Sequence, residues 1–117
     1  MFVDHAHMVT KLIKPADHVI ADLDAEKANL IHMTMGISGE AGELLDAIKK
    51  HVIYNKPLDI DNVIEELGDL EFYLEGLRQA LGLTRRETLD ANIKKLSVRY
   101  SAATYSDQAA QERKDKE

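Results

Sequence analysis

The sequence predicts an all-α fold of four to five helices, and three observations carry that expectation. Apolar residues recur at three- and four-residue spacing, and β-branched runs are absent. Gly and Pro are scarce, six and two among 117 residues. A chain of this length forms one small domain with a single core.

The elements follow in order. A first helix covers His5 to Lys14 and stops at Pro15, because proline disfavours helix in the residue before it. A turn around Asp22 to Asp24 starts a long second helix, about Ala25 to Ile53, with Asp24 as its N-cap. Met35-Gly36 and Ser38-Gly39 are places where that helix could kink. Tyr54-Asn55-Lys56-Pro57 is the clearest loop. Asp59 or Asp61 then caps a third helix to about Leu81, which Gly82 ends. Thr84-Arg85-Arg86-Glu87 has the form of a capping box and opens a fourth helix to about Tyr100. Beyond Ala102 the apolar stripe disappears, so residues 1–102 are expected to form the domain and 103–117 a charged, solvated tail.

Composition excludes several classes of function. A formal charge of −6 argues against a nucleic-acid surface, which needs clustered Lys and Arg. It leaves room for a small anionic ligand, since a metal reverses the local sign. With no cysteine there is no disulfide, thiolate zinc site or thiol nucleophile. Met1-Phe2-Val3-Asp4-His5 does not read as a signal peptide, and no apolar run approaches the roughly 18 residues of a membrane span. The expectation is a soluble, cytoplasmic protein without a membrane partner.

Two short acidic motifs carry the chemistry: Glu40-Ala-Gly-Glu43 and Glu66-Leu-Gly-Asp69. At about 100° per residue, an i,i+3 pair lies only about 60° apart around a helix, so both carboxylates leave one face. On the second helix Met33, Ile37, Ala41, Leu44, Ile48 and Val52 make an apolar stripe. Glu40 borders that stripe, and Glu43 lies just outside it beside Gly36 and Ala47. On the third helix Val63, Leu67, Leu70, Leu74, Leu77 and Leu81 make the matching stripe. Glu66 borders this one, with Asp69 outside it beside Asn62 and Tyr73. Antiparallel packing would turn all four acids to a common groove. Four anions cannot share a dry site uncompensated, and a hard divalent cation such as Mg2+ is the usual compensator. A plain solvated face is the competing explanation of such pairs in a chain with 21 acids. Gly39, Gly42 and Gly68 weigh against it: a helix-interior glycine costs about 1 kcal/mol relative to alanine, which suggests close approach to the backbone or tight helix packing.

On the fourth helix Asn92, Lys95 and Arg99 share a narrow stripe beside Leu89, Ile93, Leu96 and Tyr100. Two cations and an amide at that spacing suit phosphate oxygens. The same residues also make an ordinary basic helix C-terminus.

Taken together, these residues resemble a known family. Gly36-Ile37-Ser38-Gly39-Glu40-Ala41-Gly42-Glu43-Leu44-Leu45-Asp46-Ala47-Ile48-Lys49-Lys50 is similar to the first metal motif of the MazG-like, all-α nucleoside triphosphate pyrophosphohydrolases. Glu65-Glu66-Leu67-Gly68-Asp69-Leu70 resembles their second, giving ExxE, a spacer over residues 44–65, then ExxD. Asn92-Ile93-Lys94-Lys95-Leu96-Ser97-Val98-Arg99-Tyr100 resembles the closing segment, so the likeness spans roughly residues 30–100.

The resemblance implies a MazG-like bundle and Mg2+-dependent cleavage between the α- and β-phosphates of a nucleoside triphosphate, with Mn2+ as a possible substitute. Glu40, Glu43, Glu66 and Asp69 would hold the metal, and Glu43 or Glu40 would accept the proton of the attacking water. Lys95, Arg99 and Tyr100, with Asn92, would steady the β- and γ-phosphates. Family members are typically dimers or dimers of dimers, so a homodimer or homotetramer is expected.

Substrate choice departs from the cytidine-directed relatives. There is no Trp and there are two Phe, so their aromatic base sandwich is not visible. Leu30, His32, Met33 and Met35, with Tyr73, are the candidates to line the base pocket, and each also suits a core position. The expected substrate is a deoxynucleotide, with a lean to the purines dGTP and dATP. The alternatives are phosphoribosyl-ATP or dUTP hydrolysis on the same fold, or a non-catalytic helical interaction module. A di-iron bundle is set aside, because none of the five histidines follows a Glu at Glu-x-x-His spacing.

Overall fold

Side-chain caps set most of the helix starts in this chain. The computed structural model describes residues 1–101 and 105–113. Six helices, and no strand, occur among the described residues: α1 (His5–Leu12), α2 (Ala16–Asp22), α3 (Ala25–Val52), α4 (Ile60–Ala80), α5 (Arg85–Arg99) and α6 (Asp107–Glu112). The Asp24 carboxylate accepts from the Lys27 amide at 2.8 Å and fixes the start of α3. Of the two candidates for α4, Asp59 is the cap, accepting from the Asn62 amide at 3.1 Å. Thr84 and Glu87 form the reciprocal capping box of α5. Gly82, at φ +69°, closes α4: its amide bonds to the Gln79 carbonyl, and the Leu83 amide reaches back to that of Arg78 at 2.8 Å.

Three boundaries differ from the sequence expectation. α1 ends at Leu12 rather than Lys14. A separate helix, α2, occupies Ala16–Asp22, because Pro15 both breaks the preceding helix and supplies at φ −58° a backbone suited to starting the next. Ser106 caps the short α6 inside the stretch read as a charged tail, so Gln111 and Glu112 are helical. The domain limit expected at residues 102 and 103, and Lys114–Glu117, lie outside the described residues.

α3 runs unbroken for 28 residues through both glycine sites. It packs antiparallel on α4, and the seam between them is rotated from the stripe the apolar pattern predicts. Tyr73 lies over Gly36 and Met33 over Gly76, while Glu40 meets Glu66 and Asp69. These pairs step in register, up one helix and down the other. Ala47, at 7% exposed the one buried residue of the described chain, belongs to the same line. Of the stripe expected on α4, Val63, Leu70, Leu74 and Leu77 are half-buried, while Leu67 and Leu81 are 47% and 49% exposed. The cause is steric: Gly36, Ala47 and Gly76 let the helices approach where larger residues would hold them apart.

Little else closes around this hairpin. The radius of gyration is 20.2 Å, against about 13 Å for a compact chain of this size. The accessible surface is 9417 Å², roughly 3,000 Å² more than expected for a folded monomer of its mass. Ile31, Met35, Leu45 and Val52 recur along one uncovered face of α3, and Ile60, Ile64 and Leu67 along α4. No helix of the described chain is long and apolar enough to cross a membrane.

Candidate metal centre

Glu40 projects from α3 within the seam, and Glu66 and Asp69 project from α4 one turn apart. Each offers a carboxylate oxygen, and the three oxygens lie within 4.8 Å of one another. Opposite ligands of an octahedral Mg2+ are about 4.2 Å apart, so small side-chain rotations would close these oxygens on one ion. All-oxygen, carboxylate-rich donors are what a hard divalent cation selects.

The local field supports the fit. Glu66 is half-buried, and its carboxyl is held above the ordinary range. Loss of water is the leading cause, followed by a side-chain hydrogen bond with Glu40 and the repulsion of Glu40, Asp69 and Glu43. A bound cation would relieve the repulsion among all of these carboxylates together. Glu43 stands outside the three-oxygen group but near enough to act on Glu66. Its exposed carboxylate faces solvent at the edge of the cluster.

An open cleft of about 300 Å³ adjoins the acids, lined by Glu40, Asp69, Phe72 and Tyr73. Tyr73 is wedged between the helices, its ring against the Gly36 backbone and 6.3 Å from the ring of His32. Phe72 meets Tyr73 edge-on, with centroids 5.1 Å apart and planes at 86°. Phe72 was not singled out by the sequence pattern, although its i,i+3 spacing from Asp69 places it on the acid face.

The other candidates sit elsewhere. Met33 fills the space over Gly76, Leu30 is half-buried, and Met35 points away at 66% exposed. Of the residues proposed to line a base pocket, Tyr73 is the one at the cleft. No atom of another residue would crowd a side chain at Gly39, Gly42 or Gly68, so the close approaches occur at Gly36 and Gly76 instead. Asn92, Lys95, Arg99 and Tyr100 lie on or at the end of α5, which packs against α6, and none of them lines the cleft. The Tyr100 ring lies 5.7 Å from that of Tyr105.

The family model of the MazG nucleotide pyrophosphohydrolase domain matches residues 29–103, a span that takes in α3 from Asn29 onward, α4 and α5, with all four motif carboxylates. No curated protein and no solved structure matches the chain.

Proposed function

The chain belongs to the MazG nucleotide pyrophosphohydrolase family, and on that premise we propose that it is a Mg2+-dependent hydrolase of deoxynucleoside triphosphates, releasing the monophosphate and pyrophosphate. The observation that carries the reading is the convergence of Glu40, Glu66 and Asp69 from two helices onto a point a cation would fill. Bound there, Mg2+ would offset the charge of the triphosphate and polarise the phosphoryl group under attack. The chain's residues divide the remaining work. Glu40, Glu66 and Asp69 would hold and orient the ion. Glu43, outside that group, takes the proton of the attacking water as its oxygen bonds to phosphorus and the α–β bridge breaks. Tyr73, clamped on Gly36, keeps the cleft beside the acids open. A purine is the favoured base, because the far wall of the cleft is aromatic and rewards the larger face.

A second copy of the chain completes the protein in this reading. The surplus of roughly 3,000 Å² per chain, about 6,000 Å² for a pair, is at the upper end of what obligate interfaces cover, about 2,000–5,000 Å² or more counted over both partners. Gly42 lies among the uncovered apolar residues of α3, where its lack of a side chain admits another helix. Assembly would bring Asn92, Lys95, Arg99 and Tyr100 of α5 to the phosphates, in a homodimer or homotetramer.

The test is product analysis with each common NTP and dNTP plus Mg2+, beside Glu43→Gln. Monophosphate and pyrophosphate from a subset of nucleotides, lost in the variant, are expected. Orthophosphate release would mean that a different bond breaks. No turnover, with no Mg2+ binding by calorimetry, would return the chain to an interaction module.

A further inference from the structure

We infer that Phe72 is a stacking platform for the nucleobase, an assignment that rests on the triphosphate reading above and adds a binding residue to it. The ring is 68% exposed, yet it is not a loose surface side chain. Tyr73 backs it edge-on, and Tyr73 is itself locked between the Gly36 backbone and His32. The contact with Tyr73 narrows the orientations open to the Phe72 ring, which lowers the entropic cost of using it.

Its position selects the ligand. Asp69 and Phe72 are one helical turn apart on α4, and both line the same cleft with Glu40. The two residues are offset by about 4.5 Å along the helix axis, so a molecule whose phosphates are anchored at the carboxylates has the ring on the wall beside it. In a nucleoside triphosphate, the part that lies past the phosphates and sugar is a flat π system. An aromatic ring stacks on the face of any base, and the larger purine face stacks over more area.

An interface between two copies is the other use of an exposed Phe. The carboxylates of Glu40 and Asp69 in the same cleft weigh against it, because the cores of protein interfaces are depleted in charge. Ile31, Met35, Leu45 and Val52, which carry no acid cluster among them, are better suited to that role.

The experiment uses the full-length protein with Mg2+, comparing wild type with Phe72→Leu and Phe72→Trp. Three probes are used: dATP, a 2-aminopurine deoxynucleoside triphosphate whose fluorescence is quenched on stacking, and a base-free deoxyribose triphosphate. Wild type should quench 2-aminopurine. Phe72→Leu should lose the quenching and raise KM for dATP by about five- to a hundredfold, with kcat nearly unchanged. Phe72→Trp should retain both properties. Affinity for the base-free triphosphate should stay within about twofold in both variants. Elution mass on gel filtration should not move. Undiminished quenching in Phe72→Leu overturns the assignment, as does equal weakening of dATP and the base-free compound. A change of elution mass that alone accounts for the lost affinity places the ring in an interface and also overturns it. If wild type turns over triphosphates and Phe72→Leu behaves like it, the stacking role fails alone. If wild type binds and turns over none, the functional reading fails and takes this one with it.

Discussion

Gly36→Ala and Gly39→Ala are the same chemical change three residues apart on one helix, and the structure predicts opposite results. In an unpacked helix each gains about 1 kcal/mol, because alanine loses less backbone freedom than glycine. At Gly39 nothing lies within 4 Å of the added methyl, so the gain survives. At Gly36 the methyl would overlap three carbons of the Tyr73 ring, Cγ, Cδ1 and Cε1. That ring is a rigid plane held by His32 and Phe72, so relief requires it to leave the seam. Overpacking of this kind costs about 1–3 kcal/mol, which cancels or exceeds the helix gain. The two variants should therefore differ by about 1–3 kcal/mol, or about 4–12 °C in melting temperature at roughly 4 °C per kcal/mol. The assay is thermal unfolding followed by circular dichroism at equal protomer concentration, which holds the mass-action contribution of assembly the same for both variants. A double variant, Gly36→Ala with Tyr73→Leu, should recover the loss, giving a coupling of at least about 1 kcal/mol. If Gly36→Ala melts at or above Gly39→Ala, Tyr73 does not occupy the seam, and the α3–α4 packing described above is wrong.

Two further outcomes follow from the site and the uncovered faces. Because the folded protein holds the Glu66 carboxyl above its ordinary value, it binds more protons than the unfolded chain across the window from that value up to the raised one. Without Mg2+, stability should therefore fall as pH rises through this window; Mg2+ or Glu66→Gln should flatten the slope, and denaturant titrations at stepped pH would read it. A slope unaffected by either change would remove Glu66 from the cluster. Leu45→Glu, on the uncovered face of α3, should lower the sedimenting mass and destabilise the protein by about 1.5–3 kcal/mol, the value of one buried leucine. Unchanged mass and stability would show that no second copy covers that face.

Local chemistry was legible in the sequence wherever a few neighbouring residues decide it. Asp24, Thr84 with Glu87, and Gly82 cap or end their helices as their residue types require, since capping involves groups within one turn. The same locality made the ExxE and ExxD pairs readable, as helical spacing alone puts both acids on one face. α2 is not expected from the sequence pattern, because Pro15 marks the stop of the preceding helix as clearly as it suits the start of the next.

The rotation of the seam was not legible. Counting apolar residues favours Leu67 and Leu81, but how near two helices can come depends on the smallest residues facing each other, and that is a property of the pair. Gly36 opposite Tyr73 and Gly76 opposite Met33 fix the register, and that register brings Glu40 to Glu66 and Asp69 while leaving Glu43 at the edge. It also turns Phe72 into the cleft. The sequence by itself determined the helices, their caps and the four acids, because each depends on contacts within a turn or on side-chain chemistry. Only the tertiary structure decided which three acids converge and which ring stands beside them, because those facts depend on the approach of two helices distant along the chain.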